Sequence, residues 1–303
     1  MFWRKKNKNK VEQKSGDTAV EDTDPISIKV VVKTDLGNVR TNNEDAGSFF
    51  KLADENSIRE KGYLLLVADG MGGHNAGEVA SKMAVEIIHE EYFKPNGDNN
   101  KEKLLSKAFN TANKKIFEMA SANQSYRGMG TTCTALVVVG QIIYYAHAGD
   151  SRAYLYKNKS ITRLTEDHTY VQQLVKNGDI TAAEADTHPQ RNILTNAMGT
   201  KPTLRVDTGK ALAAFEENDR LLLCSDGLYD YLSDDELATA LRYESLQDAA
   251  DYLIGEAKRR GGKDNITVVL AERTATPDET ALKLTRDVDL PKLTRDADLP
   301  SDI

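Results

Sequence analysis

The chain has 303 residues, of which 40% are hydrophobic, so it is long enough for one large or two small domains with a substantial core. Its formal net charge of −7 disfavours a protein that binds polyanions, nucleic acid included. Its two cysteines, Cys133 and Cys224, lie in apolar runs without a CxxC partner or a histidine at ligand spacing, which argues against zinc or redox chemistry.

The start of the chain, residues 1–26, is polar and is predicted to be a flexible tail. Residues 1–14 are strongly basic and include Phe2 and Trp3, so weak peripheral contact with an anionic membrane is one interpretation and a solvated tail is the other. We find neither the apolar core of a signal peptide nor an apolar run of the roughly 18–20 residues that a membrane span needs. The cytoplasm is therefore the expected compartment, with membrane association through residues 1–14 as an addition to it.

Apolar runs between the two ends of the chain predict buried strands. They lie at residues 63–68, 132–139, 142–148, 220–224 and 266–271. The second and third runs are separated only by Gly140 and Gln141, which predicts a hairpin and hence an antiparallel sheet.

Helical spacing of apolar residues predicts helices at residues 78–92, 101–122 and 247–260, the last ending before Gly261. The apolar faces of the first two helices are expected to cover a sheet. These faces consist of Val79, Met83 and Ile87 in one helix and of Leu105, Ala108, Ala112 and Met119 in the other. Strands and helices do not alternate regularly, and a GxGxxG dinucleotide signature is missing. We therefore predict an α+β fold in which two stacked antiparallel sheets lie between helix layers.

The end of the chain, residues 274–303, is predicted to be a second flexible tail. It carries a tandem nonapeptide, KLTRDVDLP at 283–291 and KLTRDADLP at 292–300. Two polar copies are too few to stack as a solenoid. We interpret them as a docking or phosphorylation segment, with Thr285 and Thr294 as candidate sites.

Four acidic positions, far apart in the sequence, adjoin the predicted strands or polar turns. They are Asp45, Asp69, Asp226 and Asp264. Asp69, Asp226 and Asp264 taken singly are each explained equally well as a turn former, a helix cap or an Asx-turn. Together they suggest a different arrangement, because a carboxylate at the end of a buried strand is costly unless it is paired or binds a metal. Converging carboxylates form an all-oxygen site suited to hard divalent cations, which indicates a metal-assisted hydrolase.

A series of seven motifs resembles, in order and spacing, the protein phosphatase 2C family of metal-dependent serine/threonine phosphatases, in particular its bacterial single-domain type. The motifs are GNVRTNNEDA (37–46), LVADGMGGHNAGEVAS (66–81), GMGTT (128–132), AGDSRAYL (148–155), LTEDH (164–168), LLCSDGLYD (222–230) and GGKDNIT (261–267). The resemblance implies one catalytic domain over residues 27–273, flanked by the two tails.

The same resemblance implies two Mn²⁺ or Mg²⁺ ions, held by Asp45, Asp69, Asp226 and Asp264, with Asp69 bridging them and the Gly70 carbonyl as a further ligand. It implies catalysis by a hydroxide that bridges the ions and attacks phosphorus in line, without a covalent phosphoenzyme. Asp69 is thus both a ligand and a catalytic residue. Arg40 corresponds to the phosphate-binding arginine of the family, and its planar guanidinium matches two phosphoryl oxygens.

Further positions follow less directly from the resemblance. Asp150, in GDSR, corresponds to a ligand of a third, weaker metal, with a simple turn acid as the alternative. Glu44 lies beside Asp45 in the sequence, and contact with the water shell of the ions and no contact with it are equally expected. Residues 165–200 correspond to the flap that borders the site in this family.

The proton donor to the leaving group is not identified by the sequence. Animal members have a histidine directly after the DG dipeptide, whereas this chain has Met71 there. His74 or a metal-bound water are the remaining candidates. His147 and His168 are expected to be structural.

Two alternatives to an active phosphatase remain. A pseudophosphatase would keep the fold as a binding module, although none of the matched carboxylates is missing. A nuclease or small-phosphate esterase would use the same metals, although the acidic charge argues against nucleic acid. The expected partners of a phosphatase are phosphorylated proteins, including a serine/threonine kinase that it opposes, and the chain itself is expected to be a monomer.

Overall fold

A computed structural model describes residues 26–72, 76–95 and 97–274 of the chain. Two antiparallel sheets form its centre, and their strands come from alternating parts of the sequence. The first sheet has the order β1-β11-β10-β7-β8, with β1 Ser27–Asp35, β7 Arg152–Lys157, β8 Ser160–Arg163, β10 Arg220–Cys224 and β11 Ile266–Thr274. The second has the order β2-β3-β5-β6-β9, with β2 Asp45–Phe50, β3 Tyr63–Met71, β5 Cys133–Val139, β6 Ile142–Ala148 and β9 Asp207–Lys210; the short β4, Gly130–Thr131, pairs with β3.

Helices cover the outer faces of both sheets. In chain order, the α-helices of the described residues are α1 Glu55–Lys61, α2 Ala76–Phe93, α3 Lys101–Ala122, α4 Tyr170–Asn177, α5 Ala182–Asp186, α6 Asp226–Tyr229, α7 Asp234–Ala240 and α8 Leu246–Arg259. Helices α2 and α3 pack on the second sheet, and α6, α7 and α8 pack on the first. A third apolar layer lies between the sheets. The predicted α+β arrangement of two sheets between helix layers is confirmed.

Strand β3 shows why an uninterrupted apolar sequence is needed here. Leu64 and Leu66 face α2 and α3, whereas Leu65 and Val67 face the other sheet. Because successive side chains of a strand point to opposite faces, a strand covered on both faces must be apolar at every position. The predicted hairpin of β5 and β6 is likewise confirmed, with Cys133 opposite Ala148.

Some predicted boundaries were wrong. Helix α2 begins at Ala76 and ends at Phe93 instead of spanning 78–92, and α8 spans Leu246–Arg259 instead of 247–260. Thr132 precedes β5 because its N–H and hydroxyl bond to the Asp69 backbone. Met119 is 38% exposed and is not part of the buried face of α3, which continues through Ile116 instead.

Parts of three predictions lie outside the described residues. They are the tail over 1–26, of which only residue 26 is described, the tail over 274–303, of which only residue 274 is described, and His74. The interpretation of residues 27–273 as a single catalytic domain stays a prediction. Among the described helices, none combines the length and the apolar character that a membrane crossing requires.

Candidate metal and phosphate site

Strands β2 and β3 bring the first two predicted carboxylates together. Asp45, the first residue of β2, lies directly opposite Asp69 in the antiparallel register. Asp69 lies inside β3 and does not follow it, since Gly70 and Met71 continue the strand by pairing with β4. Side chains at directly opposite positions of an antiparallel pair lie close together. The two carboxylates are therefore adjacent as a consequence of strand register alone.

The backbone around Asp69 is fixed by two threonines. The Asp69 N–H donates to Thr132 Oγ1 (2.9 Å), and the Asp69 carbonyl accepts from Thr131 Oγ1 (2.9 Å) and the Thr132 N–H (2.8 Å). The next residue must be glycine, because a Cβ atom added at Gly70 would lie 2.1 Å from the Gly77 carbonyl oxygen. The sequence DG at this point thus reflects close approach of the backbone of α2.

The first sheet contributes Asp226 and Asp264 from the ends of adjacent strands. Ser225 separates Asp226, the first residue of α6, from the end of β10, and Asn265 separates Asp264 from the start of β11. Between these acids and Asp45 lies Ser225, whose hydroxyl donates to Asp45 Oδ2 (2.7 Å) and accepts from the Thr267 N–H (3.0 Å). Ser225 therefore links a carboxylate of one sheet to the backbone of the other.

The carboxylate of Asp226 differs from the other acids in its surroundings. Its Oδ1 atom is buried and has no hydrogen-bond partner among the described residues. A buried carboxylate oxygen without a donor is unfavourable by several kcal/mol unless it is neutralised or binds a cation. Because it is buried and lacks a donor from any described residue, Asp226 Oδ1 is a candidate metal ligand.

Burial and mutual repulsion shift the titration of these acids. Burial, followed by the neighbouring Asp264 charge, raises the pKa of Asp45 to about 6, against the hydrogen bonds from Ser225 and Thr267. Burial also raises the pKa of Asp69 well above its usual range, and the charges of Asp45 and Asp226 raise it further. The pKa of Asp226 is raised by burial and then by the charges of Asp150 and Asp264. The carboxylates thus lie close enough to one another to interact electrostatically.

Arg40 lies beside the carboxylates. Its Nη2 donates to Asp264 Oδ2 at 2.6 Å, and its side chain is 47% exposed. The other oxygen of Asp264, Oδ1, accepts from the Asn265 N–H. The guanidinium is therefore near the acids and still accessible to a ligand from solvent.

Asp150 lies on the turn between β6 and β7, beside the other carboxylates. It is 7% exposed, and burial together with the Asp167 charge raises its pKa to about 7, against the effect of Arg152. Asp167 is itself paired with Arg152, at 2.7 Å from Nη2. Asp150 also lines a cavity of about 820 Å³ that α4, α5 and Tyr229 enclose. Asp150 thus lies on the wall of this cavity, close enough to Asp226 for its charge to raise the pKa of that carboxylate.

The donor set fits hard divalent cations. In the described part of the chain, no three aspartate, glutamate, histidine or cysteine side chains form a closed group of metal ligands. Neighbouring carboxylate charges nevertheless raise the pKa of Asp69 and of Asp226, and no described residue donates to Asp226 Oδ1. Oxygen ligands of this kind suit Mn²⁺ or Mg²⁺, which both accept carboxylates, carbonyls and water.

Both histidines expected to be structural are buried. His147 is fully buried in β6, with Nδ1 at 2.8 Å from Thr134 Oγ1. His168 contacts Asp207 through Nε2 (3.0 Å) and precedes α4 by one residue. Residues 165–200, which correspond to the flap, contain two helices, α4 and α5.

Sequence reasoning missed the residues that support the site. They are Thr131, Thr132, Ser225 and Asn265. Each lies inside a motif that the sequence analysis quoted, and Ser225 and Asn265 directly adjoin a predicted ligand. Their role depends on partners far away in the chain, and no local spacing indicates it.

The Ser225 hydroxyl provides a first prediction. Replacing Ser225 with alanine leaves a buried Asp45 oxygen and the Thr267 N–H without a partner. We expect the free energy of unfolding to fall by about 1–3 kcal/mol, measured by urea titration. Ser121→Ala, which removes an exposed hydroxyl bonded to the Phe117 carbonyl, is the control and should change it by less than about 0.5 kcal/mol. Equal effects of the two variants would contradict the bridging role of Ser225.

A second prediction concerns pH in the absence of metal. Asp45 and Asp150 have pKa values of about 6 and about 7 in the folded chain, above the roughly 3.9 of an unfolded aspartate. The folded state therefore binds more protons than the unfolded state between about pH 4 and 7. With chelator present, we expect the free energy of unfolding to fall by a few kcal/mol from pH 5 to pH 8.

The measurement is urea unfolding in chelator at several pH values. Asp150→Asn is the matched variant, because it removes the part of the fall that extends up to about pH 7. A free energy of unfolding that is flat or rises over this range in wild type would show that the acids do not titrate as their surroundings indicate.

Comparison with known proteins identifies similar sequences and folds. The protein phosphatase 2C family profile matches residues 40–263. The serine/threonine phosphatase Stp of Listeria welshimeri is 39% identical over 245 residues, covering 80% of this chain and 94% of that protein. The phosphatase PstP of Mycobacterium tuberculosis is 39% identical over 252 residues, covering 81% of this chain and 45% of that protein.

Solved structures show the same similarity. The serine/threonine phosphatase of S. agalactiae superposes with a TM-score of 0.74 at 38% identity, covering 81% of this chain and 99% of that one. The catalytic domain of PstP in complex with two manganese ions superposes with a TM-score of 0.68 at 35% identity, covering 82% of this chain and 99% of that one.

Proposed function

Since this chain belongs to the protein phosphatase 2C family, we propose that its clustered carboxylates hold the metal ions of a protein serine/threonine phosphatase. The chain is a metal-dependent hydrolase of this class, with Mn²⁺ or Mg²⁺ as cofactor. The ligands we assign are Asp45, Asp69, Asp226, Asp264 and the Gly70 carbonyl, with Asp150 for a third, weaker ion. The observation that carries this assignment is the buried Oδ1 atom of Asp226, which has no hydrogen-bond partner among the described residues and lies among acids whose charges raise the pKa of Asp226.

The ions, when bound, supply a water of lowered pKa as nucleophile and polarise the phosphoryl oxygens. The chain supplies the geometry. Asp45 and Asp69 are placed by strand register, and Ser225 orients the Asp45 carboxylate through a 2.7 Å hydrogen bond. Thr131 and Thr132 bond the Asp69 backbone at its N–H and its carbonyl, which fixes the position from which the Asp69 side chain starts.

Arg40 binds the phosphoryl group. Its guanidinium is half exposed beside Asp264, so it can reach both the carboxylates and a substrate from solvent. A planar fork of N–H donors matches two phosphoryl oxygens, and its positive charge stabilises the charge that develops in the transition state. His147 and His168 are buried and bonded to other side chains, so neither serves as the proton donor to the leaving group.

The substrates are phosphorylated proteins. We propose further that the partners include a serine/threonine kinase that the phosphatase opposes. We also propose that the chain is a monomer and that its basic residues 1–14 contact an anionic membrane. The support for membrane contact is the composition of this segment, MFWRKKNKNKVEQK. Co-sedimentation with anionic vesicles tests it: binding of the full chain that is lost without residues 1–14 is expected, and equal sedimentation of both would contradict it.

Release of phosphate from a phosphothreonine peptide tests the proposed function. We expect release with Mn²⁺, none with excess chelator, and none with Asp226→Asn. A folded, metal-loaded protein without turnover on several phosphopeptides would favour a pseudophosphatase. Faster turnover on nucleotides or oligonucleotides than on phosphopeptides would instead favour a different metal hydrolase.

A further inference from the structure

The loop that carries Arg40 is held at both of its ends by the same buried side chain, that of Asn265. Its Nδ2 donates to the carbonyl oxygens of Leu36 and Asn42, at 3.0 Å each, and its Oδ1 accepts from the Glu44 N–H at 2.8 Å. Asn265 is 3% exposed, so water does not compete for these bonds. Both ends of the loop, residues 36–44, are thus bonded to a single amide group.

Only an asparagine satisfies this arrangement. A carboxamide has two N–H donors and one carbonyl acceptor, and here both donors and the acceptor are in use. An aspartate would place an oxygen against two carbonyl oxygens, and a buried donor or acceptor that loses its partner is costly. The requirement concerns the loop, because all three partners are backbone atoms of that loop.

The position of Asn265 also couples the loop to Asp264. The Asn265 N–H donates to Asp264 Oδ1, while Asp264 Oδ2 accepts from Arg40 Nη2. Asp264 therefore contacts the Arg40 guanidinium, and Asn265 holds the backbone before and after Arg40. A second attachment exists through Asn38, whose Nδ2 donates to the Lys258 carbonyl at 2.7 Å, but Asn38 is exposed and its bonds compete with water.

We infer that Asn265 is a positioning residue for the phosphate-binding Arg40, acting through the backbone of residues 36–44. The inference rests on the proposed role of Arg40. Misplacement of a binding group by about 1 Å can lower the rate by roughly 10²-fold, so loss of the three bonds should disturb catalysis without removing any group that contacts the substrate.

A double-mutant cycle tests this. Asn265→Ala should lower kcat/KM for a phosphothreonine peptide by roughly 10–100-fold, mainly by raising KM, and should weaken inhibition by inorganic phosphate in parallel. In an Arg40→Ala background the same substitution should change kcat/KM by less than about twofold, because residues that act as a unit are not additive. Manganese affinity, measured by calorimetry, should stay within about twofold.

Asn113→Ala is the matched control. Asn113 is 1% exposed and also makes three bonds to a loop, from Nδ2 to the carbonyls of Lys201 (3.2 Å) and Pro202 (3.3 Å) and from the Gly199 N–H (2.8 Å) to Oδ1. Whatever it costs in thermal stability, its effect on kcat/KM should be the same in wild-type and Arg40→Ala backgrounds. If Asn265→Ala fails to fold, Asn265→Ser carries the cycle.

The outcomes separate the inference from the function on which it rests. If Arg40→Ala alone leaves kcat/KM unchanged, the phosphate-binding role of Arg40 is wrong and the inference is overturned with it. If Arg40→Ala lowers kcat/KM but Asn265→Ala has the same effect in both backgrounds, or has none, Asn265 does not position Arg40. Weakened manganese binding with unchanged phosphate inhibition would place its effect on Asp264 instead and would overturn the inference.

Discussion

Replacing Asp69 with asparagine should abolish catalysis and at the same time stabilise the metal-free protein. The ions contribute several kcal/mol of transition-state stabilisation, so we expect phosphate release to fall by roughly 10³-fold. Without metal, however, the Asp69 charge is disfavoured by burial and by the charges of Asp45 and Asp226. An isosteric neutral amide removes that repulsion, so the chelated variant should melt higher than chelated wild type.

The measurement is thermal unfolding with chelator and with Mn²⁺. Since 1 kcal/mol corresponds to roughly 2–4 °C in a domain of this size, we expect an increase of a few degrees in chelator and loss of the stabilisation that Mn²⁺ confers on wild type. A lower Tm in chelator would mean that Asp69 has a favourable partner that the structure does not indicate.

Asp167→Asn is the contrasting control. Asp167 is also buried, at 8% exposed, but both of its oxygens accept from Arg152. Removing one partner of a buried ion pair costs about 3–5 kcal/mol, so this variant should melt lower with and without metal. A higher Tm for Asp69→Asn and a lower Tm for Asp167→Asn, both in chelator, would distinguish repulsion among the metal ligands from a general effect of burial.

Replacing Arg40 with alanine should remove phosphate binding and leave metal binding intact. Loss of one preorganised donor to a developing oxyanion costs roughly 10²–10³-fold in rate, and we expect kcat/KM to fall by that amount. Because the Arg40 side chain is 47% exposed, its removal should change the free energy of unfolding little. Steady-state kinetics and calorimetric titration with Mn²⁺ measure the two effects separately.

Arg40→Lys is the informative control, because it keeps the charge and loses the planar fork. A recovery of only a small part of the rate would indicate that bidentate geometry matters. Full recovery would show that Arg40 acts only as a point charge, and weakened manganese binding in Arg40→Ala would show that it supports Asp264 and not the substrate.

The sequence indicated those parts of the structure in which local composition reflects burial. Strand β3 was recognised because it is covered on both faces and is therefore continuously apolar. Strand β2, DAGSFF, is only partly buried and has no such pattern, so its apposition to β3, and hence of Asp45 to Asp69, was not foreseen from the residues. The close approach of the α2 backbone to Gly70 was likewise not foreseen from the residues.

The supporting bonds of the site could not be predicted for a different reason. Ser225 and Asp45 are 180 positions apart in the sequence, and Asn265 and Leu36 are 229 apart. Short polar side chains such as serine and asparagine occur in turns and caps throughout proteins. Their role at this site follows only from which backbone atoms the two sheets bring near them.

The most direct test of the account is a crystal structure of the protein with Mn²⁺, in which anomalous scattering locates the ions. We expect two strong peaks roughly 3.5–4 Å apart, with Asp69 contacting both and with Asp45, Asp226 and Asp264 around them. A weaker third peak beside Asp150 would agree with its proposed role. Strong peaks at other carboxylates, with Asp69 and Asp226 free of metal, would contradict the assignment of this site as the catalytic centre.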